Sequence, residues 1–316
     1  MSVITIPFQH SFDFEYETIQ RLSPLIRRIV AHNPNFFTFY GTNTYIIGNG
    51  EVALIDPGPD SHEHIEAIRT GLKDETITHI FITHTHYDHW PASDAIRSFS
   101  SGAVTHGYYP QNSNRSNPAW QSPEERSLKT QERFEITGFI PDIPLARGDL
   151  IRGRDWTLES VFTPGHASDH MCYHLQEEQV LFSGDHVMGW STSVISPPSG
   201  NMKQYMESLA LLLERDDQTF WPAHGPAIHD PKPFVEAFIA HRKEREAQIL
   251  DQLRRGIDTI PEMVARIYAD VPQHLHPAAE RSTLAAISYL IERGVVSCSG
   301  MPSPHARYEL ARPSAK

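Results

Sequence analysis

Residues Thr78–Trp90 read THIFITHTHYDHW: an apolar run, His79-Ile80-Phe81-Ile82, leads straight into His84, His86, Asp88 and His89. The run has the composition of a strand. Alternation along a strand puts residues i and i+2 on one face, so His84 and His86 converge if strand geometry persists. Asp88 and His89 then fall in a turn, because Pro91 soon bars a regular ladder. Neutral imidazoles beside a carboxylate suit a borderline metal such as Zn2+.

Histidine makes up 19 of the 316 residues, so accidental clusters are expected and spacing must decide. Three further segments repeat one theme, an apolar strand ending in a tight turn that carries a metal-ligand type. LESVFTPGHASDH turns at Gly165-His166, QVLFSGDHVMG at Gly184-Asp185 and QTFWPAHGP at His224-Gly225. Glycine beside each of these residues lets the backbone turn sharply and approach closely. Seven ligand-type residues therefore sit on four strand ends.

The rest of the chain supplies a scaffold of alternating strands and helices. Tyr45–Ile47 and Val52–Ile55 are β-rich around the hairpin signal Gly48-Asn49-Gly50. A helix is expected over Ser61–Gly71, with Ser61 as N-cap, and a short one around Ile19–Val30. Residues 107–145 are polar and rich in Pro, Asn and Ser, with one helical pattern at Glu124–Glu135, and read as a long surface insertion. Strands are expected at Thr157–Phe162, Met171–Leu175, Val180–Phe182 and Gln218–Trp221, with a helix at Asn201–Leu213. From Pro233 the pattern is helical: Phe234–Arg255, Ile260–Tyr268 and Pro277–Arg293. A closing hairpin, Val295–Ser297 with Ala306–Leu310, completes a winged-helix arrangement. The division expected is 1–232 for the domain carrying the ligand-type residues and 233–316 for the helical domain.

In this order HTHYDH, PGH, SGDH and PAHGP resemble the metallo-β-lactamase-fold hydrolases over roughly residues 40–230. AHRKEREAQILDQL, RIYADVP and LAAISYLIERGVV resemble the β-lactamase-like-protein-2 branch, in which a winged-helix domain follows the metal domain. The resemblance implies an α/β (α+β) chain folded as an αββα sandwich, with two metals at one edge of the sheets. His84, His86 and His166 would hold the first metal, Asp88, His89 and His224 the second, and Asp185 would bridge them. The chemistry implied is hydrolysis by a metal-bridging hydroxide, which two cations make available near neutral pH, with Asp88 orienting it and taking its proton. Zn2+ is expected first, with Mn2+ or Fe2+ accepted by the same donors.

Supporting residues read less sharply. Asp56 closes a strand near this edge and serves equally as support for a ligand histidine or as the turn residue of Asp-Pro-Gly. His170 is a candidate for support or substrate contact, although His170 and His186 read better as structural. His62, His64, His106, His229, His274 and His276 read as surface or satisfied buried histidines. Gly189-Trp190-Ser191-Thr192 follows the bridging acid and reads either as pocket lining or as a packed loop.

Charge and composition bound the partners. The net charge of −12 argues against a broad footprint for nucleic acid or anionic lipid. His241–Gly300 holds eight Lys/Arg against eight Asp/Glu, and the third helix carries only Arg281 and Arg293, each beside a glutamate. Duplex DNA is therefore not expected as a partner. Neither is a membrane, since no apolar run is long enough to span one. The N-terminus lacks a basic, apolar leader pattern and only Cys172 and Cys298 are present, so a cytoplasmic location is expected. The substrate expected is a small ester or thioester. Single-stranded RNA is the alternative, because the resembling branch includes an endoribonuclease. A reading from another class is a non-catalytic binding protein acting through its winged helix. Oligomeric state is not legible.

Overall fold

The computed structural model describes residues 6–109 and 139–312. The elements are β1 (Gln20–Arg21), β2 (Ile26–Val30), β3 (Asn43–Ile47), β4 (Glu51–Ile55), α1 (His62–Gly71), β5 (Thr76–Phe81), α2 (Ala92–Phe99), β6 (Val104–Tyr108) and β7 (Ile143–Leu145). There follow β8 (Leu150–Arg152), β9 (Thr157–Phe162), β10 (Met171–Leu175), β11 (Val180–Gly184), α3 (Met202–Leu213), β12 (Thr219–Pro222) and β13 (Ile228–His229). α4 (Pro231–Arg254), α5 (Ile260–Ile267), a 3₁₀ turn (Gln273–Leu275), α6 (His276–Glu292), β14 (Val296–Cys298) and β15 (Tyr308–Leu310) end the chain.

Two mixed sheets face each other. One runs β1 to β7 in sequence order, antiparallel as far as β4 and parallel from there to β7. The other has the order β13-β12-β11-β10-β9-β8, with β11 and β12 its parallel pair. Tyr45, Ile55 and Phe81 from the first sheet meet Tyr173 and Phe182 from the second, with Trp156 just before β9, in the apolar layer between them. The outer face of the first sheet is covered by α1 and α2 through Ile68, Leu72 and Ile96. The outer face of the second is covered by α3 and α4 through Tyr205, Leu209, Val235 and Phe238. The result is an αββα sandwich. Ser61 caps α1 as expected, its side chain accepting from the His64 N–H.

α5, α6 and the antiparallel β14–β15 pair make a winged-helix arrangement into which α4 leads. Its core is continuous with the outer layer of the sandwich, since Ile260, Met263 and Ile287 join Tyr205 and Phe238 in one buried cluster. α4 contributes from both halves, Phe234 and Phe238 early and Ile249 and Leu253 late. Among the described residues no helix is long and apolar enough to cross a membrane.

Several expectations need correction. Ile19–Val30 is not helical but contributes β1 and β2. Ile26 and Ile29 lie three apart, as on a helix, yet they sit on opposite faces of a strand, one between the sheets and one beneath α1 and α2. All five residues of β2 are buried, which erases the alternation that marks a half-exposed strand. Its arginines are paired off: Arg27 grips Glu75 at 2.5 and 3.1 Å, and Arg28 meets Gln20 at 2.7 Å. α2 follows Pro91 with no capping side chain, so the usual start signal is missing. Both ends of the polar stretch 107–145 are strand, since Tyr108 and Leu145 pair in register. The helix expected at Glu124–Glu135 lies outside the described residues.

His106 is neither exposed nor satisfied. It is 2 % exposed, neither ring nitrogen has a hydrogen-bond partner, and its ring stacks on Phe81 and His79. Burial, with His79 adding and Asp142 opposing, pushes its pKa down to about 4. A histidine lowered on folding leaves full stability above its unfolded pKa of about 6.5 and removes it as pH falls towards the folded value. Chemical denaturation at about pH 7.5 and 4.5 should therefore show His106→Phe losing on the order of 2 kcal/mol less than wild type between the two. Equal losses would show that local opening lets His106 take up its proton in the folded state.

Candidate metal centre

β5 ends at Phe81, so His84 and His86 are carried by the loop beyond it rather than by a strand face. They converge nonetheless, with His84 Nε2 2.7 Å from His86 Nδ1. His84, His86, His166 and Asp185 form one group of potential metal donors, and Asp88, His89 and His224 form another. Within each group the donor atoms lie within 4.8 Å of one another. Asp185 connects the groups. Its Oδ2 is 3.9, 3.7 and 3.6 Å from the Nε2 atoms of His84, His89 and His166, and its Oδ1 is 3.3 Å from His224 Nε2. All seven residues singled out by spacing thus meet at one sheet edge.

The rings are aimed by hydrogen bonds at their backs. Asp56 Oδ2 accepts from His89 Nδ1 at 2.9 Å. The same carboxylate takes the Thr83 N–H and the Thr83 hydroxyl, both at 2.8 Å. With its only proton given to Asp56, Thr83 Oγ1 accepts from His84 Nδ1 at 3.1 Å. The Val194 carbonyl accepts from His166 Nδ1 at 2.7 Å, and the Gly41 carbonyl from His224 Nδ1 at 3.2 Å. Four rings therefore direct Nε2 inward, where it serves as a lone-pair donor once unprotonated, and His86 directs Nδ1. Asp56 is thus more than a turn residue. It adopts φ 50°, unusual for a non-glycine, in the turn that delivers its carboxylate.

His170 acts on the backbone. Its Nε2 accepts the Asp185 N–H at 3.1 Å, while its Nδ1 donates to Thr163 Oγ1, just past the end of β9, at 2.9 Å. The ring sets the turn of Asp185 and makes no donor-group contact of the kind made by His166. Sequence reading missed Thr83, Asp169, whose carboxylate holds the Thr85 N–H at 3.0 Å, and the two backbone carbonyls. Asp169 lay within the GHASDH segment, but carbonyls leave no mark on side-chain spacing.

Charge in the centre is split between the groups. Burial lowers the pKa of His84 and His166, and pushes His86 down to about 3 with His166 adding to the effect. These rings are neutral. Burial also opposes charge on His89 and His224, but the carboxylates outweigh it. Asp88 and Asp56 raise His89, and Asp185 and Asp88 carry His224 up to about 10. Burial works against ionised Asp88 and Asp185 too, yet His89 and His224 hold both below the usual carboxylate range. The centre stabilises positive charge where the donors converge.

His89 Nε2, His224 Nε2 and Asp185 Oδ1 are buried without a hydrogen-bond partner, although neighbours approach to 3.1–3.7 Å. Such atoms cost about 1–3 kcal/mol each if left uncompensated. A divalent cation among inward lone pairs and carboxylates satisfies them together, so the residues fit metal ions.

A cavity of about 250 Å³ opens over the centre, with His86, Asp88, His166 and Asp185 on its floor. Phe36, Tyr87, Met188 and Trp190 form apolar wall, and Ser191 and Thr192 also line it. The Trp190 stretch is therefore pocket lining. Trp190 stacks on Phe39 with centroids 4.6 Å apart.

Residues 37–224 match the family model described as the metallo-beta-lactamase superfamily, and 259–301 that of the beta-lactamase associated winged helix domain. A Caenorhabditis elegans protein named beta-lactamase-like protein 2 homolog is 32% identical over 285 residues, covering 89% of this chain and 88% of its own. An Aspergillus aculeatus protein named atrochrysone carboxyl ACP thioesterase AacuM is 32% identical over 241 residues, covering 75% and 67%. The crystal structure of a metallo-beta-lactamase family protein from Thermus thermophilus superposes with TM-score 0.72 at 24% identity, over 92% of this chain and 100% of that one. That last likeness bears on the fold.

Proposed function

From the premise that this chain belongs to the metallo-β-lactamase superfamily of hydrolases, we propose that it is a dinuclear enzyme cleaving a small ester or thioester. The observation that carries the proposal is the pair of donor groups joined through Asp185. His84, His86 and His166 would hold one ion, Asp88, His89 and His224 the other, with Asp185 between them. Zn2+ is the first choice, and Mn2+ or Fe2+ suit the same donors. Bound there, such ions acidify water and stabilise charge developing on an acyl oxygen.

The chain's own residues do the rest. Asp88 lies on the cavity floor with Oδ2 3.1 Å from His224 Nε2, and it orients the attacking water and takes its proton. Asp56 and Thr83 hold His89 and His84 in fixed tautomers. The aromatic wall receives the acyl group and keeps bulk water from it. Among the described residues lining the cavity none is Lys or Arg, which favours an uncharged acyl group over an RNA backbone. Thioesterase relatives lean the same way. We assign the chemistry to the 1–232 portion and give 233–316 the shaping of access, without duplex-DNA binding.

The test is a screen of the metal-loaded protein against thioesters, lactones, phosphodiesters and single-stranded RNA, with metal analysis alongside. Hydrolysis of a thioester or lactone is expected, and Asp88→Ala should lower kcat/KM by about 10²–10⁴. Turnover of RNA alone would replace the substrate assignment. A folded protein that binds no metal and turns over nothing would favour the non-catalytic binding role.

A further inference from the structure

The carbonyl that aims His166 belongs to a segment pegged on both sides by the C-terminal helices. Arg242 on α4 donates from Nη2 to the Ser193 carbonyl at 2.5 Å. The Ile195 N–H donates to Ser282 Oγ on α6 at 3.3 Å. Val194, between these pegs, receives the His166 Nδ1–H. The Ser193 hydroxyl ties the same segment to the turn of Asp185, its proton reaching the carbonyls of Asp185 at 2.5 Å and His186 at 2.9 Å.

Arg242 is an unusual residue to find there. It is 5 % exposed, forms no ion pair among the described residues, and its Nε has no hydrogen-bond partner. Burying a guanidinium without a carboxylate is unfavourable, and an apolar side chain of similar volume would pack at lower cost. Its guanidinium also lies over the face of Tyr205, with the guanidinium carbon 5.1 Å from the ring centroid. The Tyr205 hydroxyl in turn donates to the His186 carbonyl at 2.9 Å. These two contacts of the charge thus end on the backbone that carries Asp185 and aims His166.

We propose that Arg242, with Ser282, is a positioning residue through which the winged-helix domain holds His166 in its metal-binding orientation. The inference rests on the metal reading given above. His84, His89 and His224 hang on Thr83, Asp56 and Gly41 instead. Asp185, shared by both groups, keeps its own anchor, its N–H being held by His170 Nε2 at 3.1 Å. Loosening residues 193–195 therefore weakens chiefly the ion held by His166 and spares the ion held by Asp88, His89 and His224.

The test loads the full-length protein with Co2+ and dialyses it against graded chelator, following retained metal and the visible spectrum. Wild type is compared with Arg242→Met, Arg242→Lys and Ser282→Ala, and His166→Ala and Asp88→Ala provide reference spectra for loss at either group. Arg242→Met should give up one ion at roughly 10–100-fold lower chelator than wild type. Its residual spectrum should be that of His166→Ala, with Arg242→Lys lying between. Release of both ions together, or of neither earlier than wild type, overturns the proposal whatever happens to the melting temperature. If Arg242→Met does not fold, Arg242→Lys and Ser282→Ala decide, and wild-type retention of both ions in both variants overturns it. A wild-type protein that takes up no Co2+ overturns the metal reading itself, and is recognised because every variant is then equally empty.

Discussion

Replacing Asp185 by asparagine is expected to lower kcat/KM by about 10³–10⁵, equivalent to roughly 4–7 kcal/mol of transition-state stabilisation. Its carboxylate reaches both donor groups, lying within 3.9 Å of four inward ring nitrogens. An amide removes the negative charge and turns N–H donors towards lone pairs, so it repels the cations that the site is built to attract. Metal content should fall from about two ions per chain to one or fewer. The fold should survive, because the Asp185 N–H remains with His170 and its carbonyl with Ser193. Two retained ions with activity within tenfold of wild type would remove Asp185 from the centre of the mechanism.

Gly165→Ala is expected to be severely damaging for a change of one methyl group. Gly165 has φ 142°, and an added Cβ would overlap the backbone nitrogen and Cα of Tyr205. That backbone cannot move aside cheaply. Tyr205 is bonded into α3 through the Asn201 carbonyl at 2.9 Å, and the Asn201 N–H bonds back to the Gly165 carbonyl at 2.8 Å. Overpacking together with backbone strain should cost about 3–5 kcal/mol, and whatever shifts will carry His166 with it. Gly102→Ala separates the two effects, since φ there is 100° but nothing lies within 4 Å of the new methyl. It should cost about 1–2 kcal/mol, from strain alone. Chemical denaturation of both variants measures the difference, and equal losses would locate the effect in backbone strain and not in contact with α3.

The centre was legible in the sequence because its histidines and aspartates fall at turns after apolar strands. Four turns with ligand-type residues are hard to obtain by chance, and all seven positions meet in space. The strands Thr157–Phe162 and Met171–Leu175 were legible for the same reason, bounded as they are by turns. What escaped had a physical cause in each case. β2 is buried on both faces and so carries no alternation, and its Ile-Arg-Arg-Ile spacing imitates a helix. α2 begins without a capping side chain. The carbonyls of Val194 and Gly41 and the packing of Arg242 are products of the tertiary fold, and no local pattern announces them.

Asp56 has a consequence for how such a site can diversify. Directly it fixes His89, and through Thr83 it fixes His84, so one carboxylate serves both donor groups. A lineage drifting towards a single ion, or towards two ions of unequal affinity, gains nothing from changing Asp56, because both halves respond together. The carbonyls behind His166 and His224 each serve one ring, and they lie on separate segments, 193–195 and 41–42. Variation that separates the two halves therefore has to accumulate in those loops, and the strand end at Asp56 should stay fixed while they change.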